Sequence, residues 1–220
     1  MSLLPELSAA HARGDVARLK GVYLRAARVC AALAAFMNVH LVILGPSFLS
    51  LWVGPSFLEE SRTILLFLGI SAMAGALSSQ VLGPFFQALD VLKALVVITL
   101  VEACANVLLS VWLAQTIGLA GVALATAVPA CLVTMLLAPR YMLPRIGVHA
   151  SEFARGILVP ASALVLASVA TQALISTSYG FDSYVILAVR VMCSTLVALP
   201  VGVLTFPREE WQPILVRWAR

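Results

Sequence analysis

From Thr63 to Phe86 the chain runs for 24 residues without a charged side chain. Few folds can hold such a run. A membrane-spanning helix needs about 20 mostly apolar residues, because the hydrocarbon is about 30 Å thick and a helix rises about 1.5 Å per residue. Five further runs meet that requirement: Val29–Trp52, Leu92–Trp112, Leu119–Ala138, Gly156–Ile175 and Tyr184–Phe206. Composition removes the alternatives. Hydrophobic residues make up 62% of the 220 residues and charged residues 11%, where soluble domains carry about 25% charged. A soluble domain of this size could not bury that much apolar surface, and disordered chains are polar and charge-rich. The runs lack period-2 alternation, so a β-barrel does not fit. The expected fold class is all-α: a polytopic membrane protein of about six transmembrane helices. Cys30, Cys104, Cys131 and Cys193 each lie inside an apolar run with no CxxC spacing, and read as small packing residues.

The expected organisation has three parts. Residues 1–28 form a lead-in and the start of the first helix, 29–206 the six-helix domain, and 207–220 an amphipathic tail with Trp211, Leu215 and Trp218 on one face. Gly14-Asp15 reads as a turn and helix N-cap. The tetrapeptide Gly-Pro-Ser-Phe occurs at 45–48 and at 54–57, and both copies read as turns at the membrane rim. Gln115–Gly118 reads as a tight hairpin. Pro139 and Pro144 are expected to close the fourth helix.

Twelve Lys and Arg residues fall on the side that holds both termini and one, Arg62, on the other. Positive residues accumulate in short cytoplasmic loops, so both termini are expected in the cytoplasm. Tyr and Trp fall in two interfacial belts, as amphipathic rings do. The first 20 residues carry Arg13, Arg18 and Lys20 without an apolar segment behind them, so no signal peptide is expected.

Ionisable groups inside hydrocarbon cost at least about 2.5–3.5 kcal/mol and are functional candidates by default. Glu102 lies near the midplane of the third run, and Asn106 and Ser110 follow at four-residue spacing on the same face. That stripe either lines a hydrated path for a polar substrate, with Glu102 able to take up a proton, or fixes helix packing through hydrogen bonds. Arg190 either meets a phosphate with its planar fork or snorkels to the outer headgroups. Asn38 and His40 lie mid-run in the first helix, as pathway residues or as packing hydrogen-bonders. Pro84 and Gln87, late in the second run, are candidates for a gate or a static kink. The chain carries no Walker loop, no HExxH and no GxSxG. No enzyme activity, cofactor, metal or nucleic-acid partner is therefore expected.

Five short motifs occur in order between residues 4 and 145. They are Leu4-Pro5-Glu6-Leu7-Ser8 with Gly14-Asp15; Leu51-Trp52-Val53-Gly54 with Phe57; Gln87-Ala88-Leu89-Asp90 with Lys93; Glu102-Ala103 with Asn106; and Gly118-Leu119-Ala120-Gly121 running on to Thr126. The series resembles the C-terminal half of polysaccharide and O-antigen flippases, within the superfamily of multidrug, oligosaccharidyl-lipid and polysaccharide exporters. The resemblance implies part of a two-lobed, MATE-like helical transporter in the bacterial inner membrane. Such a transporter moves an undecaprenyl-diphosphate-linked oligosaccharide from inner to outer leaflet by alternating access. Its implied partners are that lipid-linked glycan, membrane lipids, and a missing N-terminal half or glycan-assembly enzymes.

Members of that family have about 12 to 14 spans, and this chain has six. It begins at the connection before the family's ninth span, so a fragment is expected, or a missing part carried by a separate chain. The competing readings are an exporter of small cations or drugs from the same superfamily, an inactive scaffold in a glycan-assembly complex, and a membrane-embedded transferase.

Overall fold

A computed structural model describes residues 3–176 and 183–205. The amphipathic tail at 207–220 lies outside the described residues. Among those described, all the regular structure is helical, with no strand. Helix α1 (Leu3–Ala12) is followed by a turn at Gly14, where φ is +67°. Asp15 then caps helix α2 (Val16–Trp52), its carboxylate accepting from the Arg18 backbone N–H at 2.9 Å. The second run forms α3 (Phe57–Gly75), a π-helical stretch (Ala76–Leu82) and α4 (Gly83–Ala88). Helix α5 (Leu92–Leu132) follows, then a second π stretch (Val133–Leu137), α6 (Ala138–Met142) and a 3-10 turn (Leu143–Ile146). Helix α7 (Ala150–Phe153), a third π stretch (Ala154–Leu158) and α8 (Val159–Ser176) form one continuous rod. Helix α9 (Tyr184–Thr205) completes the described chain.

Helix α5 is not one rod. At Gly118 the backbone takes φ 63°, ψ −142°, a conformation open essentially to glycine alone. Beyond it the chain folds back, so that a Cβ built on Gly121 would stand 2.2 Å from the Leu113 carbonyl oxygen. Eight residues along a straight helix would be about 12 Å apart. The two limbs of α5 are thus a helical hairpin, as the Gln115–Gly118 pattern predicts.

Among the described residues, four stretches are long and apolar enough to cross a membrane: Val16–Trp52, Ser61–Ala88, Leu92–Leu132 and Ala150–Ile175. Leu108, Leu166, Leu174 and Val185 are each at least 68% exposed. Helix faces that water would penalise this heavily suit hydrocarbon. The protein is an all-α polytopic membrane protein.

The first Gly-Pro-Ser-Phe copy corrects the sequence reading. It forms no turn: α2 runs through Pro46 to Trp52. Pro46 and Ser47 are buried there, and Gly45 lets Leu65 of α3 approach to 2.7 Å of where a Cβ would stand. Membrane helices tolerate such prolines where neighbours and local adjustment re-satisfy the freed backbone groups. Only the second copy lies in a turn, with Gly54 at φ 139°.

Pro139 does not close the fourth helix either. The chain stays helical through Met142 by widening into a π stretch just before that proline. Pro84 and Pro160 each follow a π stretch in the same way. Proline lacks the N–H for the carbonyl four residues back, and its ring crowds that carbonyl. A wider turn relieves the crowding.

The most continuous buried core lies at the Arg- and Lys-rich end. Leu7 of α1 joins Tyr23, Phe85, Phe86, Met142 and Ile146 there. Tyr23 meets Phe85 edge-on, with centroids 5.5 Å apart, and Phe86 stacks on Tyr141 at 5.7 Å. Lys20 pairs with Glu152 at 2.6 Å across the helices, and Arg28 Nε donates to the Gly156 carbonyl at 2.7 Å. Closer to the apolar midsection, fully buried Thr134 donates to the Ala74 carbonyl at 2.9 Å. This bond ties the second π stretch to the helix entering the first. Thr134→Val should lower stability by about 1 kcal/mol, read as a fall of roughly 2–4 °C in melting temperature. An unchanged melting temperature would mean that the bond contributes nothing.

Candidate functional site

Arg190 is the largest of the fully buried side chains, at 1% exposure. It sits six residues into α9, about 9 Å along the helix from Tyr184. Snorkelling would keep its guanidinium at the outer surface. The structure instead turns it inward against α8, and Gln172 is the reason. Arg190 Nε donates to Gln172 Oε1 at 3.1 Å and Nη2 donates to the Gln172 carbonyl at 2.9 Å. Gln172 Nε2 returns a bond to the Arg190 carbonyl at 3.3 Å. Both side chains occupy the α8–α9 seam, and Gln172 is 2% exposed. A neutral amide thus accepts from a buried cation through its side chain and its own backbone oxygen. Hydrogen bonds to a charged group are worth about 1.5–3 kcal/mol each.

Two apolar layers bracket this pair. On one side Ala32, Leu164 and Ala198 form a small buried cluster with Phe36 and Val201 against it. On the other, the Phe48 ring of α2 meets the Tyr184 ring at 6.1 Å. Counting along each helix from the cluster, His40 on α2, Gln172 on α8 and Arg190 on α9 are each eight residues away, about 12 Å. All three therefore stand at one level. His40 Nδ1 donates to the Phe36 carbonyl at 2.7 Å, and the two rings lie 4.3 Å apart.

Asn38 faces the other way. Its amide donates to the Ala34 carbonyl at 2.8 Å, and its Oδ1 lies 3.3 Å from where a Cβ on Gly69 of α3 would stand. Glu102, Asn106 and Ser110 lie together on the first limb of α5, each half-buried, while Val101, Val107 and Leu108 beside them are exposed. Ser110 donates to Asn106 Oδ1 at 3.4 Å. Helix α5 packs on α3, whereas α9 packs on α8 and α2. The five pathway candidates thus fall into separate places: Arg190 with His40, Asn38 at the α2–α3 seam, and Glu102 with Asn106 on α5. Pro84 stands at the start of α4 behind a π stretch, and Gln87 is exposed near the Asp90 turn.

The sequence reading missed Gln172, Ser168, Ser194 and Thr134, all of them buried. A signal for Gln172 was present. It is the amide in an otherwise uncharged run, a few residues from the end that leads on to the arginine's helix. A cavity of about 370 Å³ at the basic end is lined by residues that include His11, Leu19, Val91 and Arg145. The Arg145 guanidinium lies 3.7 Å over the Tyr141 ring there. Among the described residues no group of three His, Cys, Asp or Glu side chains could hold a metal ion.

No family model matches the chain, and no solved structure matches it. Among curated proteins it is similar to a protein of Bacillus subtilis (strain 168) named uncharacterized membrane protein EpsK. The two are 29% identical over 219 residues, which is 98% of this chain and 43% of that protein. The chain therefore spans less than half the length of this relative.

Proposed function

We propose that the chain is part of a larger flippase that moves a lipid-linked oligosaccharide, a polysaccharide or O-antigen repeat unit, from the inner to the outer leaflet by alternating access. The observation that carries this reading is the ordered set of flippase-like motifs. Four of the five coincide with breaks between helical limbs: the Gly14-Asp15 cap, the Gly54 turn, Asp90 at φ 53° and the Gly118 hairpin. The fifth puts Glu102 and Asn106 within an apolar limb. Similarity to a membrane protein along 98% of the chain adds support. In this reading the chain is a transporter of the bacterial inner membrane with both termini cytoplasmic, works without a cofactor, and is no enzyme. The remaining helices come from a further segment or a partner chain. Glu102, Asn106, Asn38, His40 and Arg190 are its substrate-pathway residues.

The test is Glu102→Gln in the native host. Surface glycan export should be lost while the protein stays at wild-type abundance. Unchanged export would remove Glu102 from the pathway. Loss of drug tolerance with normal surface glycan would favour the cation or drug exporter instead.

A further inference from the structure

Helices α8 and α9 are pinned at two levels, by the cluster holding Leu164 and Ala198 and by the Gln172–Arg190 pair. Ser168 stands midway between these levels on α8, and Ser194 midway on α9. Residues four apart share a helix face, so both hydroxyls enter the α8–α9 seam. Both serines are completely buried, and neither Oγ has a hydrogen-bond partner. On the third helix His40 Nε2 is also buried without a partner, one turn from the Phe36 that packs on the lower cluster.

Neighbouring hydroxyls behave differently. Ser162, Thr171 and Thr195 each donate to the backbone carbonyl three or four residues back. That is the ordinary way to satisfy a hydroxyl inside a helix. For Ser194 the carbonyl four residues back is that of Arg190, which already accepts from Gln172 Nε2. Ser168 also leaves its helix carbonyls unused, on the facing helix at the same level. Two unpaired hydroxyls therefore stand at one level of a seam with hydrocarbon outside it, and the unpaired imidazole nitrogen belongs to the residue one turn beyond Phe36 on α2. The three groups include no carboxylate, so the seam does not suit a metal cation. Two to four polar partners are what a buried water molecule requires.

We propose that Ser168, Ser194 and His40 Nε2 bind ordered water, forming an internal hydration site between α2, α8 and α9, sealed on one side by the Leu164 and Ala198 layer. The site adjoins Arg190 and solvates its level of the seam.

The test is a double-mutant cycle on the purified full chain in lipid nanodiscs. Ser168→Ala and Ser194→Ala should each lower the melting temperature by about 2–4 °C. The double variant should lose clearly less than the sum, because the first substitution already releases the shared water. His40→Phe should show the same non-additivity with either serine variant. A single alanine variant that melts at or above the wild-type temperature would mean the hydroxyls face a dry gap, and would overturn the proposal. Strictly additive losses would overturn it as well.

Discussion

Gly121→Ala should fail to assemble as the wild type does. A Cβ at this position stands 2.2 Å from the Leu113 carbonyl oxygen and 2.6 Å from its carbon. Those are backbone atoms of the opposite limb, so no side-chain rotation relieves the clash and the hairpin must open. Overpacking of a closed seam costs about 1–3 kcal/mol where side chains can yield, and this contact lies beyond that range. We expect a loss above about 4 kcal/mol, among the largest effects of point substitutions, read as low yield and a fall of more than roughly 8 °C in melting temperature. Gly118→Ala acts through conformation instead, since φ 63°, ψ −142° is closed to a side chain but nothing lies within 4 Å. Its cost should be smaller, about 1–3 kcal/mol. Gly75→Ala meets nothing within 4 Å, has a helical φ of −60°, and is the control that should melt at or above wild type. Equal behaviour of the three variants would mean that the two limbs of α5 do not form this hairpin.

Arg190→Ala should be the second large loss, about 3–5 kcal/mol. Truncating so large a buried side chain leaves a cavity and strips the Gln172 side-chain and backbone oxygens of their donor. Arg190→Lys keeps the charge but not the planar fork, so it should recover only part of the loss. The informative variant is Arg190→Met with Gln172→Leu. Replacing a buried charge and its partner by apolar groups of similar size is often neutral or stabilising, so the double variant should be more stable than Arg190→Ala. Under the proposed flippase reading, wild-type glycan export by this variant would assign Arg190 to packing. If it folds and export is lost, the guanidinium has a role in transport that its partner Gln172 only positions.

The limbs were legible in the sequence because length and charge-free runs fix them. The hairpin was legible because Gly118 ends one apolar run and opens the next. Asp15 was legible because a carboxylate behind a glycine, ahead of a helix, has one common use. What escaped the sequence reading lies between helices. Nothing local tells Gly45-Pro46 from Gly54-Pro55. The first copy stays helical because α3 packs on it through Leu65, and the second turns because nothing comparable holds it. Arg190 alone invites snorkelling, and it turns inward only because Gln172 waits at the same depth on α8. Glu102 and Asn106 were placed correctly on one face, but the neighbour of that face is a tertiary fact.

The π stretches before Pro84, Pro139 and Pro160 change how substitutions should be mapped onto this molecule. A π stretch accommodates an additional residue in the turn, and one residue corresponds to about 100° of rotation on a regular α-helix. A helical wheel drawn straight through Ala76–Leu82, Val133–Leu137 or Ala154–Leu158 therefore assigns the wrong sector to everything beyond the proline. Lipid-facing and seam-facing positions on the two sides of each proline belong to separate wheels. Scanning mutagenesis pooled across these points would blur two clean periodic patterns into none, whereas the same data split at the prolines would restore both.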